Sequence, residues 1–213
     1  MKGKFLLPVI FVAVFALSRI PNLLPPNFSA AYAFAFCAGV CFRGAMAWVL
    51  PLGVMLATDF ALNIYYSMHG VSVWDLPDLE NQLFNYLAFS VLILLGGVFK
   101  NRKSLVKLVG GGLLGAILFY LITNTTSWLF NPFHNPEYTK NLAGWIIALT
   151  KGTGGYPTTL EFFRNTLLSG GLFTALFAAA EKLTAESPAD KTAGARAPKA
   201  ESEAESEPEE AKA

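Results

Sequence analysis

The sequence has little charge for its length. Only 15% of its 213 residues are charged, whereas 54% are hydrophobic. A soluble domain carries about 25% charge. The charges are also uneven, because residues 1–183 hold twelve bases and seven acids and residues 184–213 hold four bases and eight acids. So few charges cannot cover a water-facing body of this size. This argues against a soluble enzyme or a nucleic-acid-binding domain and predicts a small membrane protein with an acidic tail.

Residues that commonly carry catalysis or bind metals are also scarce. Cys37 and Cys41 lie in an apolar run without a CxxC motif, so we expect small apolar filler, with a redox or metal pair as the alternative. His69 and His134 fall in expected loops without further ligands nearby. There is no HExxH, GxSxG or phosphate-binding motif. We therefore predict no enzyme, no metal site and no cofactor.

Long apolar segments dominate the rest of the chain. A helix needs about 20 mostly apolar residues to cross about 30 Å of hydrocarbon. The expected fold is therefore all-α, a polytopic membrane bundle of about six transmembrane helices within a domain of residues 1–183. The first segment could instead be a cleaved signal peptide, because it follows Lys2 and Lys4. The predicted spans are 5–17 (extended to 20), 28–42, 44–66, 83–99, 105–130 and 167–183.

Basic residues set the expected orientation. Lys100, Arg102 and Lys103 follow the fourth span, whereas loop 67–82 has no Lys or Arg. Because cytoplasmic loops are enriched in Lys and Arg, we expect both termini in the cytoplasm and the protein in a bacterial inner membrane. The external loop 131–165 is expected to move as a lid, with a partial helix at 142–149. The acidic tail 184–213 lacks large apolar residues and is expected to be disordered, as a solubilising extension or a docking segment.

Polar residues gather in the expected outer half of the spans. Asp59 is the clearest, because an ionisable residue inside a span costs about 2.5–3.5 kcal/mol and is functional by default. A structural ion pair with Arg19 or Arg164 is the alternative. The pattern predicts a cup that opens outward and has aromatic walls, although Trp and Asn near helix ends also serve as simple anchors. The candidate ligand-binding residues are Arg19, Asn27, Asp59, Asn63, Asn124, Trp128 and Arg164.

Small residues recur at four-residue spacing in three predicted spans. Such stripes mark close helix contacts in membranes. Packing inside the bundle explains most of them, and one stripe could contact a partner subunit. Our candidate for that partner interface is Ala31, Ala35 and Gly39.

Several separated segments of the chain form a recognisable series: Ser18-Arg19-Ile20-Pro21, Pro26-Asn27-Phe28-Ser29 with the Ala-rich run to Ala38-Gly39, 52–59, 118–124 with Trp128, Ala143-Gly144-Trp145 and 162–168. In this order they resemble a bacterial family of uncharacterised membrane proteins. The resemblance covers residues 15–183, and the family is similar to the substrate-binding S component of energy-coupling-factor (ECF) vitamin transporters. This implies six helices, a ligand pocket near the outer face, a transmembrane coupling subunit and two ATPases. Alanine at 30 and glutamate at 161, where proline is expected, and an apparent insertion at 151–157 depart from the pattern.

The sequence thus supports one leading hypothesis and two alternatives. The first is a non-enzymatic, substrate-binding subunit of an importer in the lipid bilayer, with Asp59 as charged anchor. One carboxylate among aromatic residues suits a cationic or heteroaromatic ligand. The second is a membrane scaffold or assembly protein that holds its partner through the tail. The third is a membrane enzyme that uses Asp59 as acid or base, which requires a second titratable group within hydrogen-bond reach.

Overall fold

A computed structural model describes residues 5–101 and 104–185, and this part of the chain is all-helical. The terminal lysines Lys2 and Lys4, the basic residues Arg102 and Lys103, and the tail from 186 onward lie outside the described residues. The predictions that rest on them therefore stay predictions. The seven helices of the described part are α1 Leu6–Ser18, α2 Ala31–Cys41, α3 Met46–Met68, α4 Leu76–Phe99, α5 Leu105–Phe130, α6 Leu142–Thr150 and α7 Thr159–Ala185.

The short helix α2 forms the centre of the bundle. All of its residues from Ala31 to Gly39 are buried, as expected for a helix that is apolar on every side. It packs against α1, α3, α4, α5 and α7. At its contact with α4, a Cβ built on Gly96 would collide with the carbonyl oxygen of Phe36, and one on Gly39 with that of Ile93. The two glycines therefore let these backbones touch.

Three helices, not six, have the length and apolar composition to cross a membrane among the described residues. They are α3, α4 and α5, with 23, 24 and 26 residues. Helices α1 and α2 have only 13 and 11 residues, which correspond to about 20 and 16 Å. Helix α7 has 27 residues, but Arg164, Glu181 and Lys182 dilute its apolar composition. The structure thus supports membrane association and does not confirm the predicted six-span bundle.

Two helices begin earlier than predicted, because each has a helix-start signal inside a predicted loop. Helix α4 begins within the predicted loop 67–82, with a proline in its first turn followed by Asp78. Helix α7 begins within the predicted loop 131–165. There the Thr158 backbone N–H donates to Glu161 Oε2 at 2.8 Å, and the Glu161 N–H donates to Thr158 Oγ1 at 3.3 Å. This reciprocal pair is a capping box.

The two ends of the bundle hold different polar groups. At one end, Lys100 at the C-terminus of α4 donates to the Phe42 carbonyl after α2, at 3.0 Å; we call this the Lys100 end. At the other end, Asn165 in the first turns of α7 donates to the Pro26 carbonyl at 2.9 Å. Asp59 in α3 lies toward this second end, which we call the Asp59 end. The predicted ligand-binding residues lie toward the Asp59 end.

Candidate ligand site

Asp59 lies at a junction of three helices. Its Oδ1 forms an ion pair with Arg19, the residue that follows α1. Its Oδ2 accepts a hydrogen bond from the Tyr86 hydroxyl of α4 at 2.7 Å. The Arg19 and Asp59 side chains are 23% and 16% exposed. Both carboxylate oxygens therefore have a partner, and the cluster links α1, α3 and α4.

Arg19 is held in place from the α1 side. The Ser18 hydroxyl donates to the Phe15 carbonyl at 2.7 Å and accepts from the Ala30 N–H at 3.0 Å. The guanidinium carbon of Arg19 lies 5.8 Å from the Phe15 ring centroid, within cation–π range. The Arg19 Nε is buried and has no hydrogen-bond partner among the described residues. A guanidinium has five N–H donors, so Arg19 keeps a donor for a further group.

An aromatic layer lies one helical turn from Tyr86. Phe89 stacks on Phe119 of α5 at a centroid distance of 4.8 Å, and Tyr32 of α2 meets Phe119 edge-on at 4.8 Å. The Tyr32 hydroxyl donates to the Asn27 carbonyl at 3.3 Å. The layer gives the Asp59 cluster an apolar, aromatic neighbour on the side of the bundle interior.

The side chains of Asn124 and Trp128 form hydrogen bonds away from Asp59. The Asn124 amide donates to the Tyr120 carbonyl of its own helix at 2.8 Å. The Trp128 indole N–H donates to the Thr139 carbonyl at 2.7 Å, and the Lys140 ammonium donates to the Trp128 carbonyl at 2.6 Å. Trp128 therefore serves the contact between α5 and the chain that follows it, whereas the Asn124 amide is bound within α5.

The segment 131–158 is docked on α5 through α6. Asn141 caps α6 by accepting from the Gly144 N–H at 2.9 Å. The Trp145 indole donates to Thr125 Oγ1 at 3.0 Å, and the Tyr120 hydroxyl donates to the Leu149 carbonyl. Burial, with the neighbouring Glu137 charge, raises the pKa of the Tyr138 hydroxyl. The apolar run predicted as a partial helix is thus a packed helix of nine residues.

The other predicted ligand-binding residues are dispersed. Asn27 is exposed and adopts a left-handed backbone conformation with φ of 59°. Arg164 is exposed and Asn63 is half-buried, and neither side chain has a hydrogen bond to another described residue. Of the seven predicted residues, the structure thus joins only Arg19 and Asp59 directly. Tyr86 was missed as a partner of Asp59, although a phenol in an apolar helix is itself a signal.

The stripe predicted as a partner interface lies inside the protein. Ala31 and Ala35 are 2% and 0% exposed, and Gly39 is buried against α4. This agrees with the alternative of internal packing. A coupling subunit could reach these residues only if α2 left its place among five other helices.

The comparison with known proteins gives a family and no activity. The model of a family of unknown function (DUF6580) matches residues 1–192. No curated protein and no solved structure matches the chain. Within the described residues there is also no group of three or more His, Cys, Asp or Glu placed to hold a metal ion. The sequence-based prediction of an uncharacterised family is confirmed: the chain belongs to this family of unknown function.

Proposed function

We propose that the protein is the substrate-binding subunit of a membrane importer for small, vitamin-like molecules, of the ECF type. The observation that carries the proposal is the Arg19–Asp59–Tyr86 cluster. It places a carboxylate, a guanidinium and a phenol within an otherwise apolar bundle. Ionisable residues at such depth mark binding sites or ion paths by default.

The energetics of the ion pair support a role beyond folding. Desolvation of two charges offsets much of their attraction, and well-packed apolar residues of similar volume often stabilise a protein as well or better. A charged cluster in an apolar bundle is therefore a poor choice for stability alone. Binding of a polar ligand is a reason to keep it.

The pairing also changes the expected ligand. Because Asp59 is already neutralised by Arg19, a cationic ligand would have to displace the guanidinium. The buried Arg19 Nε still offers a donor, and the layer of Tyr32, Phe89 and Phe119 offers aromatic faces. A heteroaromatic molecule with a carbonyl or carboxylate acceptor fits these groups better than a cation does. The docked segment 131–158 would then close the site as a lid.

The membrane setting belongs to the same proposal. The cations at the Lys100 end support a cytoplasmic position for that end, with both termini inside and the Asp59 end outside a bacterial inner membrane. The sequence has no nucleotide-binding motif of its own. Import would therefore require a coupling transmembrane subunit and ATPases, or an ion gradient.

Identification of small molecules retained through purification tests the proposal. The wild-type chain, Asp59→Asn and Asp78→Asn are purified in detergent and extracted for mass spectrometry. Asp59→Asn keeps the shape of the side chain but removes the charge that Arg19 pairs with. Asp78→Asn makes the same chemical change at the start of α4, outside the cluster. We expect a retained molecule with wild type and Asp78→Asn, and its loss with Asp59→Asn, each measured on the folded, monodisperse fraction of the protein.

Two outcomes would contradict the proposal. One is a wild-type protein that carries no small molecule and binds none from a panel of heteroaromatic acids. The other is equal retention by all three proteins. Uptake into cells that lack other routes for the retained molecule then tests transport itself.

A scaffold or assembly role is the first alternative, and a specific observation favours it. Asn124 and Trp128 were expected to contact a ligand, but their side chains form hydrogen bonds with backbone carbonyls of the protein itself. A protein that only holds a partner needs no such ligand contacts. Capture of a specific membrane partner by a chain that retains no small molecule would favour this role.

A membrane enzyme is the second alternative, because Tyr86 provides a titratable group 2.7 Å from Asp59. This meets the geometric condition for acid–base work. Chemical change of the retained molecule by wild type, absent with Tyr86→Phe, would favour this alternative.

A further inference from the structure

Two cavities at the Lys100 end flank the last turns of α4. One, of about 330 Å³, lies among α2, α3 and α4, and its lining includes Gly39, Phe42, Trp48, Ile93, Gly97 and Lys100. The other, of about 360 Å³, lies between α4 and α5 and is lined by Val98, Phe99, Lys107, Gly110 and Gly111. Each cavity has one lysine and otherwise apolar or glycine lining. Both are far from Asp59, because Gly97 lies about 16 Å along α4 from Tyr86.

Glycines, which have no side chain, create both of these cavities, which we call the two grooves. A Cβ built on Gly97 or on Gly110 would meet no atom within 4 Å. At these two positions the absence of a side chain leaves empty space at the bottom of each groove. Gly96 differs, because the backbone of α2 packs directly against it. Val98 and Val106 beside the grooves are 74% and 81% exposed. The grooves thus run between exposed apolar side chains, the surface that acyl chains cover.

The charged residues that line or flank the two grooves are basic, although the acidic Glu181 of α7 also lies at this end, near Cys41 of α2. Lys100, Lys107 and Arg43 are exposed, and the stretch 81–136 contains no Asp or Glu at all. Arg19–Asp59 is the one salt bridge among the described residues. Neither Lys100 nor Lys107 is therefore neutralised by a carboxylate in this part of the chain. Lys100 donates one N–H to the Phe42 carbonyl, which fixes its ammonium beside the groove. An ammonium has three donors, so others remain for an anion.

The combination of cation and apolar groove selects the ligand. Basic pockets between membrane helices on the cytoplasmic side bind the headgroups of anionic lipids. Trp48 lines the first groove, and tryptophan favours the membrane interface. A soluble phosphate would use the lysines but leave the apolar walls exposed. We propose that the two grooves beside α4 bind anionic phospholipids, with the headgroup phosphate on Lys100 and Lys107 and the acyl chains along α3, α4 and α5.

Native mass spectrometry of the full chain in neutral detergent tests this site. Phosphatidylglycerol and phosphatidylcholine with the same acyl chains are titrated separately, and bound lipids are counted. We expect phosphatidylglycerol to bind more tightly by about tenfold or more. Lys100→Gln and Lys107→Gln should each weaken its binding about fivefold, because each lysine near an anionic surface contributes about 1 kcal/mol. Lys151→Gln is the matched control, because Lys151 is an exposed lysine that follows α6.

The lipid proposal and the importer proposal fail separately, because the small-molecule assay concerns Asp59 alone. Equal binding of the two lipids would overturn the lipid site, and so would an equal effect of Lys151→Gln. Displacement of phosphatidylglycerol by millimolar inorganic phosphate would also overturn it, because the ligand would then be a soluble anion. Persistence of the lipid under phosphate supports the site.

Discussion

The two ends of the bundle differ in whether their central charged side chains have partners within the chain. At the Asp59 end, Asp59 has a partner on each oxygen, Arg19 and Tyr86. At the Lys100 end, Lys100 and Lys107 line open grooves and have no carboxylate partner among the described residues. Asp59 thus has its partners within the chain, whereas Lys100 and Lys107 leave donors for a group outside it.

The difference follows from where each charge lies. Asp59 is inside a 23-residue apolar helix, where an unpaired carboxylate would cost several kcal/mol. Lys100 and Lys107 are near helix ends, where water or headgroups can solvate an ammonium at little cost. Interior charges therefore had to find partners during folding, and terminal charges did not. Mutations that remove a partner should thus harm the Asp59 end far more.

The largest expected effect comes from breaking the Arg19–Asp59 pair. Asp59→Ala leaves the guanidinium without its carboxylate and should destabilise the protein by about 3 kcal/mol. The double variant Arg19→Ala/Asp59→Ala should be more stable than the sum of the two single effects implies, because it leaves no lone charge. Unfolding by SDS titration in mixed micelles measures all three values. Single effects that add within about 0.5 kcal/mol would contradict the pairing.

The apolar helices could be predicted from composition, but their contacts could not. The predicted span 105–130 coincides with α5, and 44–66 lies almost entirely within α3. The predicted span 28–42 is longer than α2, because the chain turns at Asn27, which has a φ of 59°, and the helix begins only at Ala31. The apolar composition of a helix alone does not show whether lipid or other parts of the protein surround that helix. The burial of α2 on all sides depends on five neighbours that the local sequence does not specify.

The candidate site was predictable only in part, for a similar reason. Asp59 stood out because a carboxylate in an apolar run is unusual, and Arg19 was named as a possible partner. The link to Tyr86 depends on how α3 and α4 pack, and no local pattern specifies it. Trp128 and Asn124 have the right depth, but the Trp128 indole binds the segment after α5 and the Asn124 amide binds a carbonyl of α5 itself. The depth of a residue in the membrane can thus be predicted from the sequence of its own helix. The neighbour that its side chain contacts depends on how the helices pack.

A smaller effect is expected where α2 and α4 touch toward the Lys100 end. Gly96→Ala places a methyl group against the Phe36 carbonyl and should cost about 1–3 kcal/mol through overpacking. Gly97→Ala is the adjacent control, because its Cβ meets nothing within 4 Å and alanine favours a helix by about 1 kcal/mol. The same SDS titration should show loss for the first and no loss for the second. Equal stability of the two variants would mean that α2 does not contact α4 at these glycines.

The smallest expected effect concerns the segment over the Asp59 end. Trp128→Phe removes the donor to the Thr139 carbonyl and should cost about 1 kcal/mol locally, the net value of one hydrogen bond. The loss should raise hydrogen exchange of residues 131–141 by about fivefold, because local opening becomes more favourable by that amount. Trp74→Phe is the control, because its indole donates to Ser67 Oγ outside this segment, at 2.9 Å. Faster exchange with Trp128→Phe alone, at unchanged exchange around Asp59, would mean that the segment opens independently of the ion pair. Equal exchange in wild type and both variants would mean that Trp128 does not hold it.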